Sequence, residues 1–86
     1  MYVIAVYDVE AGRTNKMLKL CRRYLNWIQN SVFEGEISAV KLKELRIESA
    51  KILQDRDSFI IFSSRQERWL EKTVIGHERA PIDNFF

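Results

Sequence analysis

One cysteine, one histidine, one proline and three glycines among 86 residues exclude several common designs for a small protein. Cys21, standing alone, rules out an intramolecular disulfide and a cysteine-based zinc site, suits a reducing compartment, and reads as a small core residue. Few prolines and glycines beside 47% apolar residues exclude a disordered or low-complexity chain. There is no Walker loop, dinucleotide fingerprint or Cys/His cluster, and Ser31, Ser63 and Ser64 lack the setting of a nucleophile elbow. The apolar run at the start is only about seven residues long and lacks a basic region before it. It therefore predicts neither a signal peptide nor a membrane span, and the expectation is a soluble, cytoplasmic protein without membrane partners. Fourteen basic and twelve acidic residues leave a net charge of +2, too small an excess to identify a nucleic-acid binder, so the distribution of charge must decide.

What is present reads as one domain over residues 1–86, long enough to bury roughly 60–65% of its unfolded surface but with little stability to spare. Tyr2-Val3-Ile4-Ala5-Val6-Tyr7 has no charge, is rich in β-branched and aromatic types, and ends on Asp8, which predicts a buried strand with a carboxylate at its carboxyl end. Gly12 and a candidate cap at Thr14 then mark a loop into a helix over roughly 15–26. Met17, Cys21, Tyr24 and Ile28 share its apolar face, with Leu18 and Leu25 beside them, while Lys16, Lys19, Arg22 and Arg23 follow Arg13 on the other. Between Trp27 and Glu36 the β-favouring residues are broken by Asn30-Ser31, so this stretch predicts two short strands or one bulged strand. Ser38 caps a second helix, about 39–54, with Leu42, Leu45, Ile52 and Leu53 inward and mixed charges outward. Asp55-Arg56-Asp57 makes a turn, and Ser58-Phe59-Ile60-Ile61-Phe62-Ser63 is a further apolar strand. Residues 65–73 predict one or two helical turns around Trp69 and Leu70, and Thr73-Val74-Ile75-Gly76 a last brief strand. The tail ends on Phe85-Phe86, which favours docking of segment 73–86 on this subunit or a partner.

This order predicts an α+β, ferredoxin-like βαββαβ sandwich with an extra C-terminal strand, its helices on one face of the sheet. The two apolar strands are expected to be the central ones. Because neither has a polar side, the face away from the helices also needs covering, and a second copy of the chain would supply it as a homodimer.

Asp8 admits two readings, a structural end to its strand or a metal ligand. One carboxylate is a poor site for Mg2+, but two Asp8 side chains meeting near a two-fold axis would hold a hydrated ion able to activate water against a phosphodiester. The basic stripe Arg13, Lys16, Lys19, Arg22 and Arg23 is either a solvated helix face or a binder of phosphate backbone. His77 reads as a surface residue with no neighbouring nucleophile, and Trp27 and Trp69 as packing residues, although stacking on bases is open to them.

Val3-Ile4-Ala5-Val6-Tyr7-Asp8, the basic first helix and above all Gln29-Asn30-Ser31-Val32-Phe33-Glu34-Gly35-Glu36 resemble the Cas Two family of CRISPR-associated adaptation proteins across nearly the whole chain. The resemblance implies a ferredoxin-like homodimer in which Asp8 of each subunit is metal ligand and catalytic carboxylate, with Mg2+ as the cofactor. It implies a metal-dependent endonuclease acting on RNA or DNA in spacer acquisition, with the Cas One integrase as partner; the alternative is a non-catalytic scaffold for duplex DNA. It further implies that Thr73-Val74-Ile75-Gly76 crosses to the other subunit's sheet. Two departures concern phosphate binding. The family's arginine pair early in the first helix is here Arg13 and Lys16 at a different spacing, and Trp27 stands where many relatives carry arginine. A ligand-sensing regulator of the same fold is a third reading.

Overall fold

The computed structural model describes residues 1–65 and 73–76. Its elements are β1 (Tyr2–Asp8), one turn of 3-10 helix (Ala11–Arg13), α1 (Thr14–Arg22), β2 (Asn26–Gln29), β3 (Val32–Glu36), α2 (Ala39–Ala50) and β4 (Ser58–Ser64). The four strands form one antiparallel sheet in the order β2-β3-β1-β4. The α+β class and the βαββαβ order are those expected from the sequence. The central pair, however, is β1 and β3, and β4 lies at an edge. An uninterrupted apolar run predicts burial on both sides of β4, yet Ile60 and Phe62 are 52% and 60% exposed.

Alternation along β1 sets the layers. Val3, Ala5 and Tyr7 point to the helices and are at most 4% exposed, and Phe33 joins them from β3. Met17, Leu20 and Cys21 of α1 and Leu45 of α2 close the core from above. Burying a side chain of the size of Leu45 or Phe33 contributes about 1.5–3 kcal/mol. Tyr7 and Phe33 also stack, with ring centroids 6.1 Å apart. Ile4, Val6, Val32, Ile60 and Phe62 fall on the opposite face, which none of the described helices covers.

α1 is shorter than its apolar spacing suggests, because the chain turns after Arg22 and Ile28 belongs to β2. Thr14 is the first helical residue and not the cap; the helix continues directly from the 3-10 turn, with no side chain capping it. α2 starts as expected, the Ser38 hydroxyl accepting from the Lys41 N–H at 3.1 Å, but ends at Ala50. The stretch from Trp27 to Glu36 is both of the expected alternatives at once, a hairpin of two strands with a bulge between Trp27 and Gln29. Thr73–Gly76 forms no strand in this chain, and Ile75 is 96% exposed. No neighbouring backbone among the described residues pairs with it. The helical turns expected over 65–73, Trp69, His77 and the tail from 77 lie outside the described residues, apart from Arg65, which follows β4, and Thr73. Among the described residues no helix is long and apolar enough to cross a membrane.

Candidate functional site

Asp8 stands where the strand pattern predicts, exposed at the carboxyl end of a central strand. Alternation from the inward Tyr7 turns its carboxylate to the face without helices. Its cross-strand partner is Ser58, the first residue of β4, and the Ser31 carbonyl accepts from the Tyr7 N–H at 3.2 Å, so the β2–β3 turn ends beside it. No described side chain pairs with Asp8, and no group of three or more His, Cys, Asp or Glu side chains among the described residues is placed to hold a metal. Asp8 thus offers a hard, accessible oxygen donor. A hydrated Mg2+ fits that donor type and ordinarily takes one or two carboxylates from protein.

The basic residues divide. Lys16, Lys19, Arg22 and Arg23 are exposed on α1 or its last turn, as the sequence predicts for a charged outer face. Two of them rest on aromatic rings: the Arg22 guanidinium lies 5.4 Å from the Trp27 ring centre and that of Arg23 5.6 Å from that of Tyr24. Such stacking holds the cations in place without consuming their charge. Trp27 itself is partly buried against the core and donates its indole N–H to the Asn30 carbonyl at 2.9 Å, so packing is its main task.

Arg13 departs from the expected stripe. Its side chain is only 16% exposed and its Nε lies 2.5 Å from Oδ2 of Asp57, whose own side chain is 1% exposed. A second guanidinium nitrogen donates to Oδ1 at 3.0 Å. The same carboxylate accepts from the backbone N–H groups of Glu10 at 3.1 Å and Gln54 at 2.9 Å. The hydrogen bond from Arg13, supported by those two N–H groups, holds the Asp57 carboxyl well below the ordinary carboxylate range, and the Arg13 guanidinium is shifted up by the same contact. Arg13 is therefore engaged with Asp57 inside the fold and stands apart from the four exposed cations. Asp57 gave no signal of this role in the sequence, since Asp55-Arg56-Asp57 reads simply as a turn.

Glu34 is likewise unmarked in the sequence. It is 2% exposed and accepts from the Tyr2 hydroxyl, within the helix-free face near Ile4. Burial pushes the Cys21 thiol up to about 12, which leaves it without the thiolate needed for a nucleophile or ligand.

Comparison with known proteins agrees with this arrangement. Residues 1–72 match the family model described as CRISPR associated protein Cas2. A protein of Fusobacterium nucleatum named CRISPR-associated endoribonuclease Cas2 is 50% identical over 91 residues, covering 99% of this chain and 86% of its own. One of the same name from Methanothermobacter thermautotrophicus is 39% identical, covering 96% and 92%. A crystal structure of Cas2 superposes with a TM-score of 0.86 at 41% identity, over 95% of this chain and 93% of that one. That of Streptococcus pyogenes Cas2 gives 0.71 at 25% identity, over 86% and 100%. With the family model spanning both helices and all four strands, and relatives matching almost end to end, this chain belongs to the CRISPR-associated Cas2 family.

Proposed function

We propose that the chain is a metal-dependent endonuclease of CRISPR spacer acquisition, cleaving phosphodiester bonds of RNA or DNA as a ferredoxin-like homodimer in the prokaryotic cytoplasm. The observation that carries this reading is Asp8: an exposed carboxylate with no described side-chain partner, at the end of a central strand, on the face whose apolar residues favour a second copy. Two such subunits place two Asp8 carboxylates about one axis, the number of acidic ligands that Mg2+ ordinarily takes from protein. Mg2+, when bound, neutralises charge at the scissile phosphate and lowers the pKa of water. Lys16, Lys19, Arg22 and Arg23 contribute attraction for the phosphate backbone. The names of the relatives, endoribonucleases all, support the hydrolytic reading.

Asp8→Asn removes the charged ligand at nearly constant volume. In a cleavage assay on labelled RNA and duplex DNA with Mg2+, the variant should lose activity while keeping its circular dichroism and oligomeric state. Cleavage equal to the parent's sinks the catalytic reading. A second reading, a non-catalytic scaffold that holds duplex DNA for the Cas One integrase, is favoured by the absence, among the described residues, of any group of three or more ligating side chains. It predicts undiminished DNA binding by the same variant and no Mg2+-dependent cleavage by the parent.

A further inference from the structure

We propose that the Arg13–Asp57 pair is the positioning element of the site: it ties the loop that follows Asp8 to the turn entering the neighbouring strand and fixes where that carboxylate points. This rests on the reading of Asp8 as the functional carboxylate. Each Asp57 oxygen takes two donors. Oδ1 accepts from the Arg13 NH2 group at 3.0 Å and the Glu10 N–H at 3.1 Å. Oδ2 accepts from the Arg13 Nε at 2.5 Å and the Gln54 N–H at 2.9 Å. With four donors on two oxygens, Asp57 has little capacity left for a metal, so its task is mechanical.

What it holds is informative. Glu10 lies two residues beyond Asp8 on the outgoing loop, and Asp57 directly precedes Ser58, the cross-strand partner of Asp8. One carboxylate thereby ties the loop leaving β1 to the turn entering β4, across 47 residues of sequence. Asp8 sits in the corner between them. The bidentate contact adds directional constraint that a point charge does not, so lysine at position 13 is not equivalent. Both partners are largely shielded from water, so loss of either leaves donors or a charge unsatisfied.

The test uses the full chain with Asp57→Asn and, as the milder variant, Arg13→Lys, each assayed at a temperature where its circular dichroism matches the parent. Three readouts are taken: the NMR shift of the Asp8 side-chain carboxyl carbon without metal, Mn2+ affinity by electron paramagnetic resonance, and the separate kcat and KM for nucleic-acid cleavage. The expected result is a moved Asp8 resonance, Mn2+ affinity weaker by about ten-fold or more, and a fall in kcat at nearly constant KM. An unmoved Asp8 resonance in both variants overturns the proposal. So does a rise in KM with kcat and Mn2+ affinity unchanged, which would make Arg13 a phosphate ligand after all. Should the parent show no Mn2+ binding that Asp8→Asn abolishes, the metal reading fails by itself, and the Asp8 resonance still decides whether the pair positions that side chain.

Discussion

Phe62 of β4 lies directly across the sheet from Ile4 of β1, on the face that carries no described helix. Ile60 lies likewise across from Val6, and with Val32 these side chains make an apolar surface on a small domain. Phe62→Glu should therefore break the proposed homodimer while leaving the protomer folded, since Phe62 contributes little to the core. A two-fold interface loses the contact twice, at about 1.5–3 kcal/mol each. The dissociation constant measured by sedimentation should rise by about two orders of magnitude or more. A dimer of parental affinity would move the interface elsewhere.

Acid stability should carry the signature of Asp57. Its folded carboxyl titrates below the ordinary value of 3.8, so the stabilisation is complete above that pH and is lost as the pH falls toward the lower folded value. Urea midpoints of the parent should drop on acidification below 3.8, whereas Asp57→Asn starts lower at neutral pH and shows a shallower decline. Parallel acid limbs would remove Asp57 from the set of groups that govern acid unfolding.

Lys19 and Arg23 are exposed on or just after α1, and reversing their charge tests the phosphate role without disturbing the core. Each phosphate contact removed should reduce the slope of log affinity against log salt by about one. Lys19→Glu with Arg23→Glu is expected to weaken duplex binding in fluorescence anisotropy across all sequences tested. Unchanged affinity and slope would mean that the outer face of α1 is simply solvated.

Two stability changes follow from α2. Ser38→Ala removes the side chain that caps the Lys41 N–H and should cost about 1 kcal/mol. Leu45→Ala empties a site with no solvent exposure and should cost about 2–5 kcal/mol. Urea denaturation of both variants orders them, and a Leu45→Ala loss no larger than that of Ser38→Ala would mean that the core collapses to fill the gap.

Helical periodicity and strand composition made much of the fold legible: Met17 and Cys21 on the inward face of α1, the start of α2 at Ser38, and Asp8 at its strand end were readable from spacing, whereas the apolar run of β1 gave no sign of which side faces the helices. Edge or centre was not legible either. A strand of apolar residues looks the same whether its second side meets a helix, another subunit or water, so composition predicts a central strand where β4 lies at an edge. The site was legible in part for a related reason. Exposed cations follow from helix spacing, but Arg13 is drawn inward by Asp57, 44 residues away, and no local pattern registers a partner at that distance. The burial of Glu34 beside Tyr2 is hidden in the same way, because a carboxylate in a strand reads as solvent-facing.

The irregularity in the hairpin decides which side of the ribbon each residue of β2 presents. Trp27 pairs with Phe33 and Gln29 with Val32, so two steps along β2 answer one step along β3. Counting by twos would give Trp27 and Gln29 the same side, whereas their partners put them on opposite sides. The extra residue between them sets the Trp27 indole beneath Arg22 while Gln29, two positions on, stays exposed. The bulge thus lets an aromatic ring under α1 and an exposed amide stand two residues apart on one short strand, and Asn30, with a left-handed φ of 45°, closes the turn that follows.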